Sequence, residues 1–217
     1  MIVGHYAASM AAKVIEPRVP LWHYIVAAQL IDFAWAFFVL TGIEKARIVE
    51  QYTKSFPFDF YYMPFSHSLL AVFLWCVLTF VAYYLWRRVG GARAALVVTL
   101  VVMSHWILDL LVHPGDLPLF SVEHKVGYAL WNYPILAFVI EVILVSGGFL
   151  MLAKYFGMSR KATISALLII AGAMLATHLT FFYELNPTSI SVIASMVVGG
   201  YGFVTYVSHQ FEKKFGR

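Results

Sequence analysis

The chain has 217 residues, of which 62% are hydrophobic and 12% charged, and its formal net charge is +4. Because soluble domains contain about 25% charged residues, this composition excludes an ordinary soluble domain and indicates a membrane protein with several spans. So many spans leave no room for a separate soluble domain, and residues 1–217 are predicted to form a single transmembrane domain. The one cysteine, Cys76, excludes an internal disulfide.

The chain begins with a predicted short helix followed by a full span. Residues 2–15 are too few to cross a hydrocarbon core of about 30 Å, so we expect a half-inserted or interfacial helix with His5 near its start. Two prolines end this helix, because proline removes a backbone donor and disfavours helix in the preceding residue. The first full span is predicted over 21–42 with Asp32 near its middle, and a polar loop follows at 43–64.

The remainder of the chain is predicted to contain five further spans. The second span begins with Phe65-Ser66-His67-Ser68, and a short basic turn leads from it into the third. Glu141 lies within the fourth span and His178 within the fifth. The predicted fold is therefore an all-α, polytopic transmembrane helical bundle of about six spans plus the short N-terminal helix. The last five spans are predicted over 65–86, 93–113, 133–156, 162–184 and 189–208.

The third span contains a polar stripe. His105, Asp109 and His113 are spaced four residues apart, so on a helix they lie on one face and rise about 6 Å per step. A charged side chain at the centre of a bilayer costs about 2.5–3.5 kcal/mol on insertion scales. The stripe is therefore expected to meet polar partners from other helices or to bind an ion.

The distribution of basic residues predicts an orientation. Most Lys and Arg residues fall in loops on one side of the membrane, and cytoplasmic loops carry such an excess. Both termini are therefore expected on or near the cytoplasmic side of an integral cell (inner) membrane, bacterial in type. The loops 43–64, 114–132 and 185–188 are expected on the outer side, and the polar site would open to the outer face.

Most of the intramembrane ionisable residues fall in the outer half of their spans, so several of them can converge on one pocket. Imidazole and carboxylate together are typical ligands of Zn²⁺, and Mn²⁺ is possible. Two buried carboxylates in one pocket would repel each other unless a cation lay between them. The predicted metal ligands are His5, Asp32, His67, His105 and Asp109.

The order of these residues resembles that of the YdjM-like family of membrane-bound, metal-dependent hydrolases. The similarity rests on Gly4-His5, Asp32, Phe65-Ser66-His67-Ser68 and His105-x-x-x-Asp109, and it covers about the first half of the chain. Where that family usually has Leu-Pro-Asp-x-Asp, this chain has Gln29-Leu30-Ile31-Asp32 and keeps only the second aspartate. The ligand order is also distantly similar to that of zinc phospholipase C and the S1/P1 nucleases.

The resemblance implies a metal-dependent hydrolase, and a site within the membrane favours an amphiphilic lipid or phosphate-ester substrate. The expected partners are the lipid bilayer and this small molecule or lipid, with no nucleic acid; the sequence does not predict an oligomeric state. Four protein ligands on one zinc leave little room for water, which suggests a second ion. The candidate catalytic residues are Asp109, His113, Glu141 and His178.

Other interpretations of the same residues stay open. Intramembrane His and Asp also form proton and ion pathways, so a secondary transporter is one alternative. The stripe could instead be a polar network between helices, or a structural metal site in a protein without catalytic activity. A b-type haem site would need two facing neutral histidines, and the aspartates among these histidines argue against it.

Overall fold

The computed structural model describes residue 1 and residues 3–86, 90–179 and 189–215. Within these ranges sheet is almost absent and the predicted all-α helical bundle is confirmed. Part of the basic turn after the second span, the end of the predicted fifth span and the 185–188 loop lie outside the described residues. The described helices are α1 (Tyr6–Ile15), α2 (Leu21–Ala28), α3 (Leu30–Leu40), α4 (Leu69–Trp86), α5 (Gly91–Val112), α6 (Pro134–Tyr155), α7 (Arg160–Leu179) and α8 (Ile190–Phe215).

Among the described helices, α4 to α8 are long and apolar enough to cross a membrane, and α2 with α3 forms a sixth span if the bent pair counts as one. The outer surface of the bundle is apolar: Leu168 and Ile169 of α7 expose 69% and 72% of their surface. Contiguous apolar surface of this kind is unfavourable in water and suits a lipid environment. The last helix runs to Phe215, beyond the predicted end at residue 208, because its final turns join an ionic cluster described below.

The predicted single span over 21–42 is broken. The axes of α2 and α3 differ by 49° at Gln29, a residue with no exposed surface. The break contains neither proline nor glycine, so it could not be predicted from the residue types that usually interrupt a helix. It leaves the Ala28 carbonyl at the end of α2, where helical carbonyls lack a donor from the next turn. That carbonyl accepts a hydrogen bond from a histidine of α5.

The short N-terminal helix is part of the bundle. It was expected at 2–15 as a half-inserted or interfacial element, but α1 begins at Tyr6 and packs against α2, α5 and α6. Its contact with α6 is close, since a Cβ atom on Gly148 would lie 3.0 Å from the Ala7 backbone. Small residues allow such close approach between membrane helices. The start of α1 is thereby fixed inside the protein.

Two short hairpins cover one end of the bundle, where the sequence predicted only loops over 43–64 and 114–132. Strand β1 (Lys45–Ile48) pairs antiparallel with β2 (Phe58–Tyr62). Strand β3 (Leu117–Pro118) pairs antiparallel with β4 (Lys125–Val126). A 3-10 turn at Leu130–Asn132 follows, and its Trp131 is buried. Aromatic side chains from these segments extend the core beyond the ends of α3 and α5.

The opposite end of the bundle holds a cluster of ion pairs. Buried Glu16 accepts two hydrogen bonds of 2.7 Å from Arg18, which hold the pKa of this carboxyl below its usual value, and Arg93 lies 3.3 Å away. Lys13 of α1 pairs with Glu212 of α8 and donates to the carbonyls of Pro17 and Val19 at 2.8 and 2.9 Å. This cluster joins the first and last described helices.

Replacing Lys13 with alanine should destabilise the fold. Lys13 is 4% exposed, and removal of one partner of a buried ion pair costs about 3–5 kcal/mol. We expect a clearly lower thermal unfolding midpoint for the detergent-solubilised variant. Lys54, which is exposed, provides the control, and Lys54→Ala should unfold like the wild type. Equal midpoints for both variants would show that this ion pair contributes little.

Candidate metal centre

The five predicted metal ligands converge. His5 immediately precedes α1, Asp32 lies in α3, His67 lies in the turn before α4, and His105 and Asp109 lie in α5. Their side chains form two sets of three whose candidate ligand atoms lie within 4.8 Å of one another: His5 with His105 and Asp109, and Asp32 with His67 and His105. A separation of this size lets one ion contact all atoms of a set. His105 belongs to both.

Asp109 is the centre of the cluster. Its Oδ2 lies 3.1 Å from His105 Nε2, 3.7 Å from His67 Nε2 and 3.8 Å from His113 Nε2. Its Oδ1 lies 3.2 Å from His5 Nε2 and also pairs with the amino group of Met1. Asp109 is 3% exposed, so its charge is compensated almost entirely by protein groups or by an ion.

Asp32 forms the second wall of the cluster. Its Oδ1 lies 3.4 Å from His67 Nε2 and 3.5 Å from His105 Nε2. Its Oδ2 accepts a hydrogen bond of 2.8 Å from the hydroxyl of Tyr201 in α8. The carboxylate is therefore oriented with one oxygen toward the histidines. Tyr201 was not predicted as a partner of Asp32, because nothing in the sequence around one tyrosine in an apolar span indicates such a contact.

Each of three histidines donates its Nδ1 hydrogen to a fixed acceptor. His105 Nδ1 lies 2.7 Å from the Ala28 carbonyl at the α2–α3 break. His113 Nδ1 lies 2.7 Å from Asp116 Oδ1. His67 Nδ1 lies 2.8 Å from the Ser66 hydroxyl, which in turn donates to a carboxylate of Glu44. Because a carbonyl and a carboxylate only accept, and the Ser66 hydrogen is already used, Nδ1 is the donor in all three rings.

This arrangement has a direct electrostatic consequence. In a neutral ring with hydrogen on Nδ1, Nε2 bears a lone pair, and a carboxylate oxygen also bears only lone pairs. The Nε2 atoms of His67, His105 and His113 all face Asp109 Oδ2, so acceptors face acceptors unless a proton or a metal ion lies between them. Histidines that donate from one nitrogen to a carbonyl or carboxylate and offer the other are typical of metal sites. The residues therefore fit a divalent ion.

Glu44 is the main polar residue that sequence reasoning missed. It is 1% exposed and accepts hydrogen bonds from the backbone N–H groups of Phe65 and Ser66 at 2.7 and 2.8 Å. Its other oxygen accepts from the Ser66 hydroxyl at 2.6 Å. Glu44 thus fixes the turn that presents His67. It was overlooked because it lies in a charged loop segment that suggests an exposed surface.

His5 is placed by stacking and by its backbone. Its ring lies parallel to that of His105, with 3.9 Å between centroids and 5° between planes. The N–H groups of Val3 and Gly4 donate to Glu141 Oε2 at 2.8 and 3.0 Å. Glu141, predicted as a catalytic residue, therefore anchors the segment that carries His5. It belongs to neither of the two sets of candidate ligands.

His178 and His113 were also predicted as catalytic residues. His178 lines a second pocket together with Glu141, and its ring centroid is 4.6 Å from that of Phe138. It is not in either ligand set. His113 follows the last residue of α5 with an extended backbone, so the third member of the predicted stripe lies just beyond the helix. Its side chain nevertheless remains in the cluster, 4.5 Å from the Trp131 ring centroid.

A pocket leads from the cluster to the surface and occupies about 680 Å³ including its open mouth. Asp32, His67, Asp109 and His113 contribute its polar wall. Aromatic and aliphatic side chains form the rest, among them Trp35, Phe58, Phe60, Trp131 and Val197. The cluster thus lies at the polar end of an otherwise apolar pocket.

Comparison with known proteins does not identify the chain. No family model matches it, and neither a curated protein nor a solved structure matches it significantly. The resemblance to the YdjM-like family therefore stays a prediction.

Replacing Glu44 with glutamine should weaken metal binding although Glu44 is not a ligand. The amide keeps the shape but loses one acceptor oxygen, so Ser66 and then His67 lose their fixed orientation. Such outer partners are worth about 10–100-fold in metal affinity. Zn²⁺ titration of metal-stripped protein with a competing chelator would measure this loss. Glu50→Gln, at an exposed residue of the same segment, should bind like the wild type, and equal affinity of both variants would contradict the proposed link.

Proposed function

We propose that this protein is an integral-membrane, metal-dependent hydrolase that acts on an amphiphilic substrate. The observation that carries the proposal is the set of three histidines with Nδ1 hydrogen-bonded to fixed acceptors and Nε2 within 3.1–3.8 Å of one buried carboxylate oxygen. Zn²⁺ is the expected ion, with Mn²⁺ as the alternative. The basic loops favour an inner membrane of bacterial type, with the site open to the outer face.

The geometry favours one ion per chain over the pair that the ligand count suggested. His105 is common to both ligand sets, and its Nδ1 is already bonded to the Ala28 carbonyl. Only Nε2 of His105 remains as a metal ligand, and the lone pair of one nitrogen binds one ion. Asp32, His67 and His105 would hold that ion and leave a position for water, and His5 and Asp109, which form the other set with His105, would lie beside it.

A divalent ion bound here would lower the pKa of a bound water toward neutrality and polarise the scissile carbonyl or phosphoryl group. Among the protein groups, His113 is placed to move protons, because it lines the pocket beside Asp109. Its Nδ1 is bonded to Asp116, whose carboxylate stabilises the imidazolium formed when Nε2 takes a proton. His113 would then return this proton to the leaving group. The hydrogen bond from Tyr201 would keep the Asp32 carboxylate oriented toward the histidines.

A transporter is less well supported by the described residues. Conduction requires ionisable or hydrated groups that continue through both halves of the membrane. Between the cluster and the ion pairs at the opposite end of the bundle, Ser9 donates to the Tyr24 carbonyl at 2.8 Å and Tyr24 donates to the Glu16 carbonyl at 2.9 Å. These bonds stabilise helix packing and do not form a chain of titratable groups.

Metal analysis of purified variants tests the proposal. Wild-type protein prepared without chelator should contain about one Zn²⁺ or Mn²⁺ per chain. His67→Gln keeps hydrogen-bonding capacity but supplies a poor ligand, so most of the metal should be lost. His124, exposed in the loop after α5, provides a matched control, and His124→Gln should retain its metal.

Ester hydrolysis by the same samples tests the activity itself. Chelation should abolish turnover of a medium-chain ester, and added Zn²⁺ or Mn²⁺ should restore it. A wild-type protein without divalent metal, or a His67→Gln variant that keeps both metal and activity, would refute the proposed hydrolase.

A further inference from the structure

We propose that Phe56 and Trp131 determine substrate specificity by closing one side of the pocket at the metal centre. The pocket accepts an amphiphile with one hydrocarbon chain at the reacting bond and rejects one with a chain on each side of that bond. This inference rests on the proposed hydrolase function and narrows its substrate class. Its basis is a second pocket that lies behind these two side chains.

Phe56 and Trp131 form a wall between two pockets. The pocket at the metal centre, termed the substrate pocket, occupies about 680 Å³, and the second pocket between α6 and α7 occupies about 410 Å³, each including its open part. Among the described residues, these two are the ones that line both pockets. Their ring centroids lie 5.0 Å apart and their planes meet at 76°, the edge-to-face contact that aromatic pairs favour. The two pockets are therefore neighbours separated by a pair of packed rings.

Hydrogen bonds from the loop before β2 hold this wall in place. The Thr53 hydroxyl accepts a hydrogen bond from the Phe56 N–H group at 2.8 Å and donates to the Phe56 carbonyl at 3.0 Å. The Ser55 hydroxyl donates to the Trp131 carbonyl at 2.6 Å. Both rings are buried. Because buried rings are close-packed and their backbones are tied together here, neither ring can move aside without breaking these contacts.

The wall adjoins the group that is placed to move protons. The Trp131 ring centroid lies 4.5 Å from that of His113, which lines the substrate pocket beside Asp109. A reacting bond within reach of His113 therefore has Trp131 close by. Other apolar lining residues, among them Trp35 and Val197, provide space for one chain. A second chain on the opposite side of the bond meets the packed rings.

The second pocket would hold a further chain if the wall were removed. Its ionisable residues are Glu141 and His178, and Glu141 accepts hydrogen bonds from the N–H groups of Val3 and Gly4 at 2.8 and 3.0 Å. Each buried methylene group strengthens binding about fourfold, so a chain that gained access would bind more tightly. Specificity thus depends on two side chains and not on a lack of space. The apolar lining of the second pocket includes Val3, Pro134, Ala137, Phe138 and Met174.

Hydrolysis of a carboxylic ester at this site needs no further reactant. The oxygen of water bonds to the acyl carbon, the bond between that carbon and the alcohol oxygen breaks, and an acid and an alcohol form. One proton of the water passes to the alcohol oxygen through His113, and the other remains with the acid or solvent. The single chain belongs to either the acyl or the alcohol part, since the wall limits only how many chains fit.

Binding of two unreactive ethers tests the wall without turnover. Dodecyl methyl ether has one chain at its oxygen and dodecyl octyl ether has two. Both are presented to Zn²⁺-loaded protein at the same mole fraction in nanodiscs. Tryptophan fluorescence should show that the wild type binds the one-chain ether more tightly by at least about tenfold, the contribution of about two methylene groups. Phe56→Ala, which joins the two pockets, should remove this preference.

Two further variants distinguish the wall from a general loosening of the pocket. Phe58→Ala removes a similarly buried ring that lines the substrate pocket alone, and it should keep the preference for the one-chain ether. Thr177→Phe fills the second pocket from α7 and, combined with Phe56→Ala, should restore the preference. If Phe56→Ala does not fold, Trp131→Leu tests the other ring of the wall in the same assay. Equal binding of the two ethers by the wild type, or an unchanged preference in Phe56→Ala, would overturn the inference.

Product analysis separates this inference from the proposed function. The protein is given methyl laurate, dodecyl acetate and octyl laurate, and the released acid is measured. Hydrolysis of a one-chain ester by the wild type, with octyl laurate hydrolysed only by Phe56→Ala, supports the inference. Hydrolysis of octyl laurate by the wild type at the same rate would overturn it while leaving the hydrolase intact. Metal-loaded wild-type protein that hydrolyses none of these esters would refute the hydrolase, and the inference with it.

Discussion

The buried carboxylate of Asp109 is the constraint on which the site depends. At 3% exposure its charge needs a cation or donated protons close by, and the Met1 amino group supplies these at Oδ1, whereas Oδ2 faces histidine nitrogens. The hydrogen bonds of three of these histidines place Nδ1 away from Asp109 and leave the opposite nitrogen toward it. A metal ion satisfies both sets of lone pairs at once, whereas a purely polar network would require extra protons in a buried place.

Much of the irregular backbone near the site helps to hold the histidine rings in these orientations. The 49° break between α2 and α3 ends one helix at the carbonyl that holds His105. The segment before β1 brings buried Glu44 to the turn that carries His67. The two N–H groups bonded to Glu141 fix the residues just before His5. Fold and site are therefore coupled, because the helix break supplies the acceptor for His105 and the segment before β1 supplies the acceptor that supports His67.

The sequence predicted which polar residues converge better than it predicted the residues that hold them in place. The four-residue spacing in α5 and the ionisable residues in other apolar segments were enough to predict convergence of one set of side chains, namely His5, Asp32, His67, His105 and Asp109. The spacing could not show that His113 lies just beyond the end of α5, because Val112 is as apolar as the residues before it. Glu141 and His178 were predicted as catalytic residues, and only packing shows that Glu141 anchors the segment before α1 while His178 lines a second pocket.

The supporting residues have no distinctive local pattern. Glu44 and Asp116 lie in segments whose charged residues usually face water, and their burial depends on how the hairpins fold over the bundle. Tyr201 is far from Asp32 in the chain and meets it only because α8 packs on α3. Gln29 marks a helix break without proline or glycine, so the bend follows from tertiary contacts such as the one between His105 and Ala28.

X-ray absorption at the zinc edge of the purified, active protein tests the central claim most directly. One ion held by histidine and carboxylate ligands predicts nitrogen and oxygen scatterers at about 2.0–2.2 Å, with imidazole outer-shell scattering. No second metal should appear at the roughly 3.5–4 Å typical of two-metal sites. A metal–metal distance in that range would contradict the single-ion site. A spectrum without imidazole scattering would contradict histidine ligation and, with it, the account of why these side chains converge.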